Sequence, residues 1–320
     1  MLIRRWVTLL LAWGVPLAAV AAPPAITVVA GGDLLFDRGV RRWSEKNGVR
    51  NLLTGLRPQF RAADLALANL ECPLTVRLSP MPKQYVFRCD PAVAKDLRWA
   101  GLDAVSLANN HSIDQGRDGL LDTIQELEAA GVVALGAGGS QPAARRHHVM
   151  KIGEFRVALL GYVAIPIEGV VFLEDRPGPA QLQEESIVSD LAGARADADL
   201  VIVNVHWGSE FRPQPSPEQQ RVGHLFIDGG ATMVIGHHPH VLQPIERYKG
   251  GLIAYSLGNL VFDQRREDGR TTALLRCQVQ PGQVGPCAAL PLEITKARPH
   301  RAPSGMAKRI GATLEVPLIP

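Results

Sequence analysis

Residues 199–240 read DLVIVNVHWGSEFRPQPSPEQQRVGHLFIDGGATMVIGHHPH, and the fold class depends on this stretch. The apolar runs at 199–205 and 232–235 predict two buried strands, and the segment 217–228 between them predicts a helix. Because a helix between two buried strands is typical of a parallel crossover, the stretch favours an α/β fold. Polar side chains follow each strand at once, in the sequences His206-Trp207-Gly208 and Gly236-His237-His238-Pro239-His240.

The same alternation of apolar strands and helices begins near residue 26. Further buried strands are predicted at 26–30, 64–70, 103–108 and 155–161, and further helices at 91–100, 117–130 and 181–194. Two later strands, at 251–256 and 271–280, have no helix between them and suggest an antiparallel addition. The tail from Lys296 onward shows no clear period, and we expect it to be a loosely packed extension.

The composition of the 320-residue chain is that of a globular protein. Hydrophobic residues make up 46% and charged residues 20%, which excludes a disordered or collagen-like chain. Lysine and arginine total 34 against 31 aspartate and glutamate residues, so the formal net charge is only +3. Since aromatic residues are also scarce, at 5%, nucleic acid is not an expected partner.

The N-terminus has the layout of a secretory signal peptide. Arg4 and Arg5 precede an apolar segment at 6–20, and Ala19-Val20-Ala21 provides a small-x-small cleavage site. The apolar segment is shorter than the roughly 20 residues that span a bilayer. Its length therefore favours a cleaved signal peptide, and a retained membrane anchor is the alternative. Contact with a membrane is expected only if the segment is not cleaved. The prediction is an exported protein of the periplasm or cell envelope, with a signal peptide at 1–21.

Export bears on the four cysteines, which are Cys72, Cys89, Cys277 and Cys287. An oxidising compartment favours disulfides over free thiols, and four cysteines allow three pairings. The local pairing, Cys72 with Cys89 and Cys277 with Cys287, needs the least long-range closure. No C-x-x-C is present, so a thioredoxin-like or zinc-ribbon role is not expected.

Five predicted strands end in side chains that can bind metals or hydrogen-bond. The carboxyl ends of parallel strands share one edge of a sheet, so these groups are expected to converge on one crevice. Aspartate, glutamate, asparagine and histidine without cysteine suit Mn²⁺, Fe or Zn²⁺. A rigid turn around Pro239 can direct His238 and His240 at two metals, and a carboxylate such as Glu71 can bridge them. The five clusters are Gly31-Gly32-Asp33, Asn69-Leu70-Glu71, Asn109-Asn110-His111, His206-Trp207-Gly208 and Gly236-His237-His238-Pro239-His240.

These motifs, followed by Tyr255-Ser256-Leu257-Gly258-Asn259, resemble in type and order those of the CapA family. That family comprises poly-γ-glutamate capsule synthesis proteins with a calcineurin-like metallophosphoesterase fold. The resemblance covers about residues 26 to 265. It implies a four-layer α-β-β-α sandwich, with two sheets covered by helices and a metal site at the strand ends. The division it suggests is one such domain at 22–295, followed by a C-terminal extension at 296–320.

The resemblance also implies roles for individual residues. Asp33 and His240 correspond to ligands of a first metal, Glu71 to the bridging carboxylate, and Asn110, His206 and His238 to ligands of a second metal. His111 corresponds to the residue that protonates the leaving group. Asp114, three residues later, either orients His111 or caps the following helix. His237 is predicted to lie outside the ligand set, as a supporting or surface histidine.

One position departs from the superfamily pattern, which usually opens with D-x-H. Leu35 stands where that histidine would be, so one ligand of the first metal is missing. The departure allows for weaker loading or a single metal, and it is shared with the CapA pattern. Candidate residues for binding an anionic substrate are Arg38, Lys83, Tyr85 and Arg88, for which a solvated loop is the alternative.

The favoured function is an exported, metal-dependent hydrolase or transferase of the cell envelope, acting on a phosphoester or a poly-γ-glutamate-like polymer. The alternative is a non-catalytic component of a polymer synthesis or export complex, in which the metal serves structure only. A periplasmic nucleotidase is a third hypothesis, and the low aromatic content disfavours it.

Overall fold

The computed structural model describes residues 24–319. The strands are β1 (Ile26–Leu34), β2 (Leu65–Leu70), β3 (Ala104–Ser106), β4 (Val133–Leu135), β5 (Ala137–Gly138), β6 (His148–Ile152), β7 (Phe155–Val163), β8 (Gly178–Pro179), β9 (Leu200–His206), β10 (Met233–His237), β11 (Ile245–Tyr248), β12 (Gly251–Ala254), β13 (Asn259–Val261), β14 (Thr271–Gln280), β15 (Gln283–Thr295) and β16 (Arg298–Arg301). The helices are α1 (Arg38–Asn47), α2 (Val49–Leu53), α3 (Arg57–Arg61), α4 (Val93–Ala100), α5 (Gly116–Ala130), α6 (Gln141–Arg145), α7 (Glu184–Asp197), α8 (Pro217–Asp228), α9 (Glu267–Arg270) and α10 (Ser304–Leu314).

Two large sheets contain most of the strands. The first has the order β16-β15-β14-β1-β2-β3-β4, with β13 also pairing with β1. Its strands β1 to β4 are parallel, and β14 joins β1 antiparallel, as predicted for 271–280. The second sheet has the order β11-β12-β10-β9-β7-β6. All six strands predicted between residues 26 and 235 lie in these two sheets, which confirms the α/β class.

The two sheets pack face to face and helices cover their outer faces. An apolar cluster between the sheets joins Val28 and Leu67 of the first sheet to Leu159, Ile202 and Met233 of the second. A separate cluster packs α1 to α5 against the first sheet, and another packs α7 and α8 against the second. This confirms the four-layer α-β-β-α sandwich.

Of the two sequence-based expectations about the later part of the chain, the antiparallel addition is confirmed in part and the loosely packed tail is wrong. The strand predicted at 251–256 is antiparallel to β11 but parallel to β10. The segment after Lys296 is not loosely packed. In it, β16 pairs with β15, and α10 buries Met306, Ile310 and Leu314 against β14 and β15. These apolar residues recur every four positions and so share one face of α10, which covers the outer side of the β14–β15 hairpin.

Both disulfides have the predicted local pairing, Cys72 with Cys89 and Cys277 with Cys287. The proposed signal peptide at 1–21 lies outside the described residues, and the domain boundaries at 21 and 295 stay predictions. Among residues 24–319, none of the helices has the length and apolar character needed to cross a membrane.

Candidate metal centre

The carboxyl ends of strands from both sheets meet in one cluster. Asp33 lies near the end of β1 and Glu71 directly follows β2, while His206 ends β9 and His237 ends β10. Gly32 allows β1 to lie directly against Gly258, the residue before β13, since a Cβ at position 32 would lie 1.9 Å from the Gly258 carbonyl oxygen. The cluster gathers all six predicted metal ligands, which are Asp33, Glu71, Asn110, His206, His238 and His240.

The innermost part of the cluster is fully buried. Ligand atoms of Asp33, Glu71 and His206 lie within 4.8 Å of one another. The Nε2 atom of His206 lies 3.5 Å from Glu71 Oε1 and 3.0 Å from the Oδ1 atom of Asn110. Asn69 donates from Nδ2 to Asp33 Oδ1 at 2.9 Å and to Glu71 Oε1 at 3.3 Å. One amide group therefore fixes both carboxylates.

The turn after β10 holds its histidines in an unusual backbone conformation. His238 and His240 have φ angles of 96° and 56°, which are rare for residues other than glycine and carry backbone strain. The Nδ1 atom of His240 lies 2.8 Å from Asn259 Oδ1 and 3.3 Å from Asp33 Oδ2, while its Nε2 lies 3.9 Å from Glu71 Oε2. A hydrogen bond at Nδ1 leaves Nε2 as the ring atom for a ligand.

Several buried polar atoms of this cluster have no hydrogen-bond partner. Buried polar groups are nearly always paired, so a concentration of unpaired ones at one place indicates a missing partner. Acceptors on carboxylate and imidazole groups fit a divalent cation of the Mn²⁺, Fe or Zn²⁺ type. The unpaired atoms are Glu71 Oε2, His206 Nδ1, His237 Nδ1 and His238 Nδ1.

The electrostatics of the cluster keep two histidines neutral. Burial lowers the pKa of His206 well below its ordinary value. Burial and the charge of His240 lower the pKa of His238 to about 3. Burial opposes protonation of His240 as well, but the Glu71 and Asp33 carboxylates outweigh it and raise the pKa of His240 to about 9. Neutral imidazole is the form that binds metals, so His206 and His238 are ready ligands.

The two buried carboxylates are shifted in opposite directions. Burial, followed by the charge of Asp33, raises the pKa of Glu71 well above its usual range. Burial has the same tendency at Asp33, but the imidazoles of His237 and His240, whose Nδ1 atoms lie 3.4 Å and 3.3 Å from its carboxylate oxygens, outweigh it and hold the pKa of Asp33 well below its ordinary value. The ionised form of Glu71 is therefore disfavoured beside Asp33, and a bound cation would stabilise it.

His111 lies beside the cluster and is fixed by Asp114. Its Nδ1 atom is 2.8 Å from Asp114 Oδ2, and its ring packs 4.2 Å from that of Phe87. Burial lowers the pKa of His111, against the opposing effect of Asp114. Asp114 also accepts hydrogen bonds from the backbone N–H of Phe87 and from Lys83 Nζ, each at 2.6 Å. Of the two predicted roles for Asp114, orienting His111 agrees with these contacts.

A cleft of about 600 Å³ opens onto this centre. His111 and His240 contribute to its wall, and the exposed ring of Tyr85 lies at its margin. Its cationic side chains are Arg38, Arg42, Arg265 and Arg266. Arg38 forms an ion pair with Asp263 and lies over the Phe87 and Phe262 rings, so its position is fixed.

The predicted substrate-binding residues therefore divide into two pairs. Arg38 and Tyr85 line the cleft, whereas Lys83 and Arg88 are not among its lining residues. The Lys83 side chain is only 5% exposed, because its ammonium group is inserted between Asp114 and the carbonyl oxygen of Asn110. Its prediction as a cation free to bind substrate is wrong.

Some residues that support the ligands or complete the cluster were not predicted from the sequence. Asn109 donates from Nδ2 to Asn69 Oδ1, and Asn259 contacts His240. Both belong to motifs that were recognised but were assigned no role there. Of the two positions predicted for His237, the structure agrees with the supporting one: it is buried, with Nδ1 3.4 Å from Asp33 Oδ1. Glu210, two residues after His206-Trp207-Gly208, lies near His238 and His240.

Two packed sheets with outer helices, and a cluster of carboxylate, amide and imidazole groups at their common edge, define the calcineurin-like metallophosphoesterase fold. Residues 27–264 match the family described as bacterial capsule synthesis protein PGA_cap. The chain belongs to this family, as the resemblance to the CapA family predicted.

Relatives and solved structures agree with this assignment. The PGA biosynthesis protein CapA of Bacillus subtilis (strain 168) is 31% identical over 271 residues, which cover 84% of this chain and 71% of that protein. The probable polyglutamine synthesis accessory protein of Mycobacterium tuberculosis (strain H37Rv) is 29% identical over 346 residues, covering 92% and 91%. A phosphatase from Mycoplasma pneumoniae superposes with a TM-score of 0.55 at 16% identity, over 84% of this chain and 94% of that one. The structural likeness shows the fold alone.

Proposed function

We propose that this protein is an exported, metal-dependent hydrolase that acts on an anionic phosphoester or polymer during synthesis of a cell-envelope polymer. The observation that carries the proposal is the buried cluster of six ligand side chains with unpaired atoms beside the His111–Asp114 pair. The names of the Bacillus subtilis and Mycobacterium tuberculosis relatives support a polymer of the polyglutamate type. Export is supported by two disulfides, which an oxidising compartment maintains.

In this proposal, the cluster holds a pair of divalent cations. Asp33 and His240 would bind one ion, Asn110, His206 and His238 the other, and Glu71 both. Such a pair supplies charge neutralisation for a phosphoryl group and a nucleophilic water near neutral pH. The Asn69 amide and the Asn259 side chain orient Asp33, Glu71 and His240 toward the ions, since each already contacts its partner.

The remaining steps belong to the protein's own groups. The arginines of the cleft bind and orient an anionic substrate, and Arg38 is held for this purpose by Asp263 and two aromatic rings. Asp114 accepts a hydrogen bond from His111 Nδ1, which leaves Nε2 as the atom for proton transfer. Because burial favours the neutral ring, Nε2 first takes up a proton from solvent in the proposed reaction, and it then donates that proton to the leaving-group oxygen.

A second candidate is a non-catalytic component of a polymer synthesis or export complex. Leu35 favours it, because this side chain is completely buried in the apolar cluster under the helices and provides no ligand. In that case the metal would stabilise the sheet edges without turning over a substrate.

The test combines metal quantification with a substrate panel. The purified mature protein, and variants with alanine at Glu71, His206 or His238, are compared with a His224→Ala control on α8, whose imidazole contacts Glu246 outside the cluster. Hydrolysis of nitrophenyl phosphodiesters and poly-γ-glutamate is assayed with Mn²⁺. Metal loss together with loss of wild-type turnover supports the hydrolase. Metal loss without any wild-type turnover favours the second candidate, and unchanged metal content in all three variants contradicts both.

A further inference from the structure

Glu210 lies on a short loop that the backbone holds against the histidine turn. The loop follows β9, and the N–H of Trp207 donates to the carbonyl oxygen of His237 at 3.1 Å. At the other end of the loop, the N–H of Phe211 donates to the carbonyl oxygen of Pro239 at 2.8 Å. These two hydrogen bonds place residues 207–211 alongside the turn, so the position of Glu210 is fixed by main-chain contacts.

This placement creates a second group of potential ligand atoms on the cleft side. One carboxylate oxygen of Glu210 and one ring nitrogen each of His238 and His240 lie within 4.8 Å of one another. Glu210 is exposed and lines the cleft, whereas both histidines are more than nine-tenths buried. The group is thus open to solvent on one side and closed on the other, as a site that exchanges ions and admits substrate requires.

Two unpaired groups indicate what the site lacks. His238 Nδ1 is buried and has no hydrogen-bond partner. Within residues 24–319, no hydrogen bond or ion pair engages the Glu210 carboxylate, although four arginines line the same cleft. A free carboxylate in that position would repel an anionic substrate. The same carboxylate becomes useful when a cation lies between it and the substrate, because the cation reverses the local charge.

We propose that Glu210 is a metal ligand, which joins Asp33 and His240 in binding the first ion, while the adjacent His238 binds the second. Carboxylates and imidazoles suit Mn²⁺, Fe²⁺ or Zn²⁺. This inference rests on the proposed metal-dependent function and adds a ligand from a different chain segment. It also accounts for Leu35, since a ligand from the loop after β9 removes the need for one after β1.

The test compares Glu210→Gln with Glu218→Gln. The first change keeps the size of the side chain and removes its charge. The second removes the charge of another exposed carboxylate, on α8, which pairs with Arg221 away from the cluster. The metal-free wild type and both variants are titrated with Mn²⁺ by calorimetry, and bound manganese is counted after gel filtration. We expect Glu210→Gln to weaken the affinity for one ion by about 100-fold, and Glu218→Gln to match the wild type.

A melting experiment shows whether the protein remains folded. In EDTA, Glu210→Gln should melt at the wild-type temperature, because the carboxylate has no protein partner to lose. With Mn²⁺, the variant should gain less in melting temperature than the wild type does. Equal manganese affinity and equal gain in the variant and the wild type would overturn the role of Glu210 alone. A wild type that binds no manganese would overturn the metal-dependent function as well, so the two failures are distinguishable.

Discussion

Ile202 and His206 lie four residues apart on β9, are both completely buried, and are placed in opposite environments. Residues two or four apart on a strand share a face, so both side chains point toward the space between the sheets. Ile202 is surrounded by apolar side chains of both sheets. His206 reaches the end of the strand, where Glu71 and Asn110 surround it and its Nδ1 has no partner. The middle of the strand therefore contributes to the apolar core, and its end carries the proposed metal ligand.

This difference shows that the edge of the sandwich contributes less to folding stability than its middle. A buried polar atom without a partner costs free energy of folding, and several are concentrated at this edge. Apolar burial between the sheets offsets that cost. We therefore expect a bound ligand to increase the stability of the edge, and we expect the packing in the middle of the sandwich not to depend on that ligand.

The largest difference in stability is expected when one side chain in each environment is truncated to alanine. Ile202→Ala should lower the free energy of unfolding by about 4 kcal/mol, because it leaves a cavity between the sheets. His206→Ala should lower it by less than about 1 kcal/mol in EDTA, since removal of the unpaired, buried Nδ1 offsets the lost packing and the lost contact between Nε2 and Asn110. Guanidinium unfolding in EDTA measures both values, and metal analysis should show loss of metal only in His206→Ala.

Val188→Ala is the matched control, because Val188 is 62% exposed on α7 and its truncation should leave stability within about 0.5 kcal/mol. A loss of metal from folded Ile202→Ala would contradict the separation of the two environments. A loss of several kcal/mol from His206→Ala in EDTA would do the same.

The sequence allowed the parallel strands to be predicted because each is a short apolar run. Both 199–205 and 232–235 correspond to observed strands, β9 and β10. Hydrophobic periodicity predicts a strand but not the strands with which it pairs. The example is β12, which pairs in parallel with β10 and antiparallel with β11, to which it is joined by a short turn. The packing of α10 was not predicted because Met306, Ile310 and Leu314 are single apolar residues at every fourth position, and only the structure shows that they pack against β14 and β15.

The part of the site that could be predicted from the sequence consists of polar residues that directly follow predicted strands. Asp33, Glu71 and the histidines of the turn were recognised because their residue types are metal ligands at equivalent strand ends. Glu210 was not, because its approach to His240 depends on backbone hydrogen bonds between two loops. Lys83 was assigned to the substrate for a related reason. A lysine in a polar loop is usually solvated, and only the tertiary structure shows its contact with Asp114.

The two disulfides offer an intermediate test of the same contrast. Cys277 and Cys287 join β14 to β15 in the apolar cluster between the sheets, whereas Cys72 directly follows Glu71. Replacing either pair by alanine should cost about 3 kcal/mol, because the closed loops differ little in length. Only the Cys72→Ala, Cys89→Ala protein should also bind manganese more weakly, since the segment it releases adjoins Glu71 and carries Lys83.

Denaturant unfolding and manganese titration of the two double variants provide the measurement. Equal metal affinities would contradict a role for the first disulfide at the edge. Weaker metal binding in the Cys277→Ala, Cys287→Ala protein would show that the region between the sheets affects the metal as well.

The smallest effect concerns Lys83, which lies between the two kinds of environment. It is as buried as a core residue, yet its ammonium group contacts Asp114 and the carbonyl oxygen of Asn110 at the edge. Lys83→Met should cost about 2 kcal/mol of stability, because Asp114 loses one charged donor but keeps His111 and the N–H of Phe87. Lys95→Met, at an exposed lysine of α4, is the control and should be neutral.

A double-mutant cycle with Asp114→Asn separates the ion pair from lost packing, because only a direct interaction makes the two changes non-additive. A coupling energy of zero would mean that Lys83 merely fills space, and would remove it from the residues that position His111.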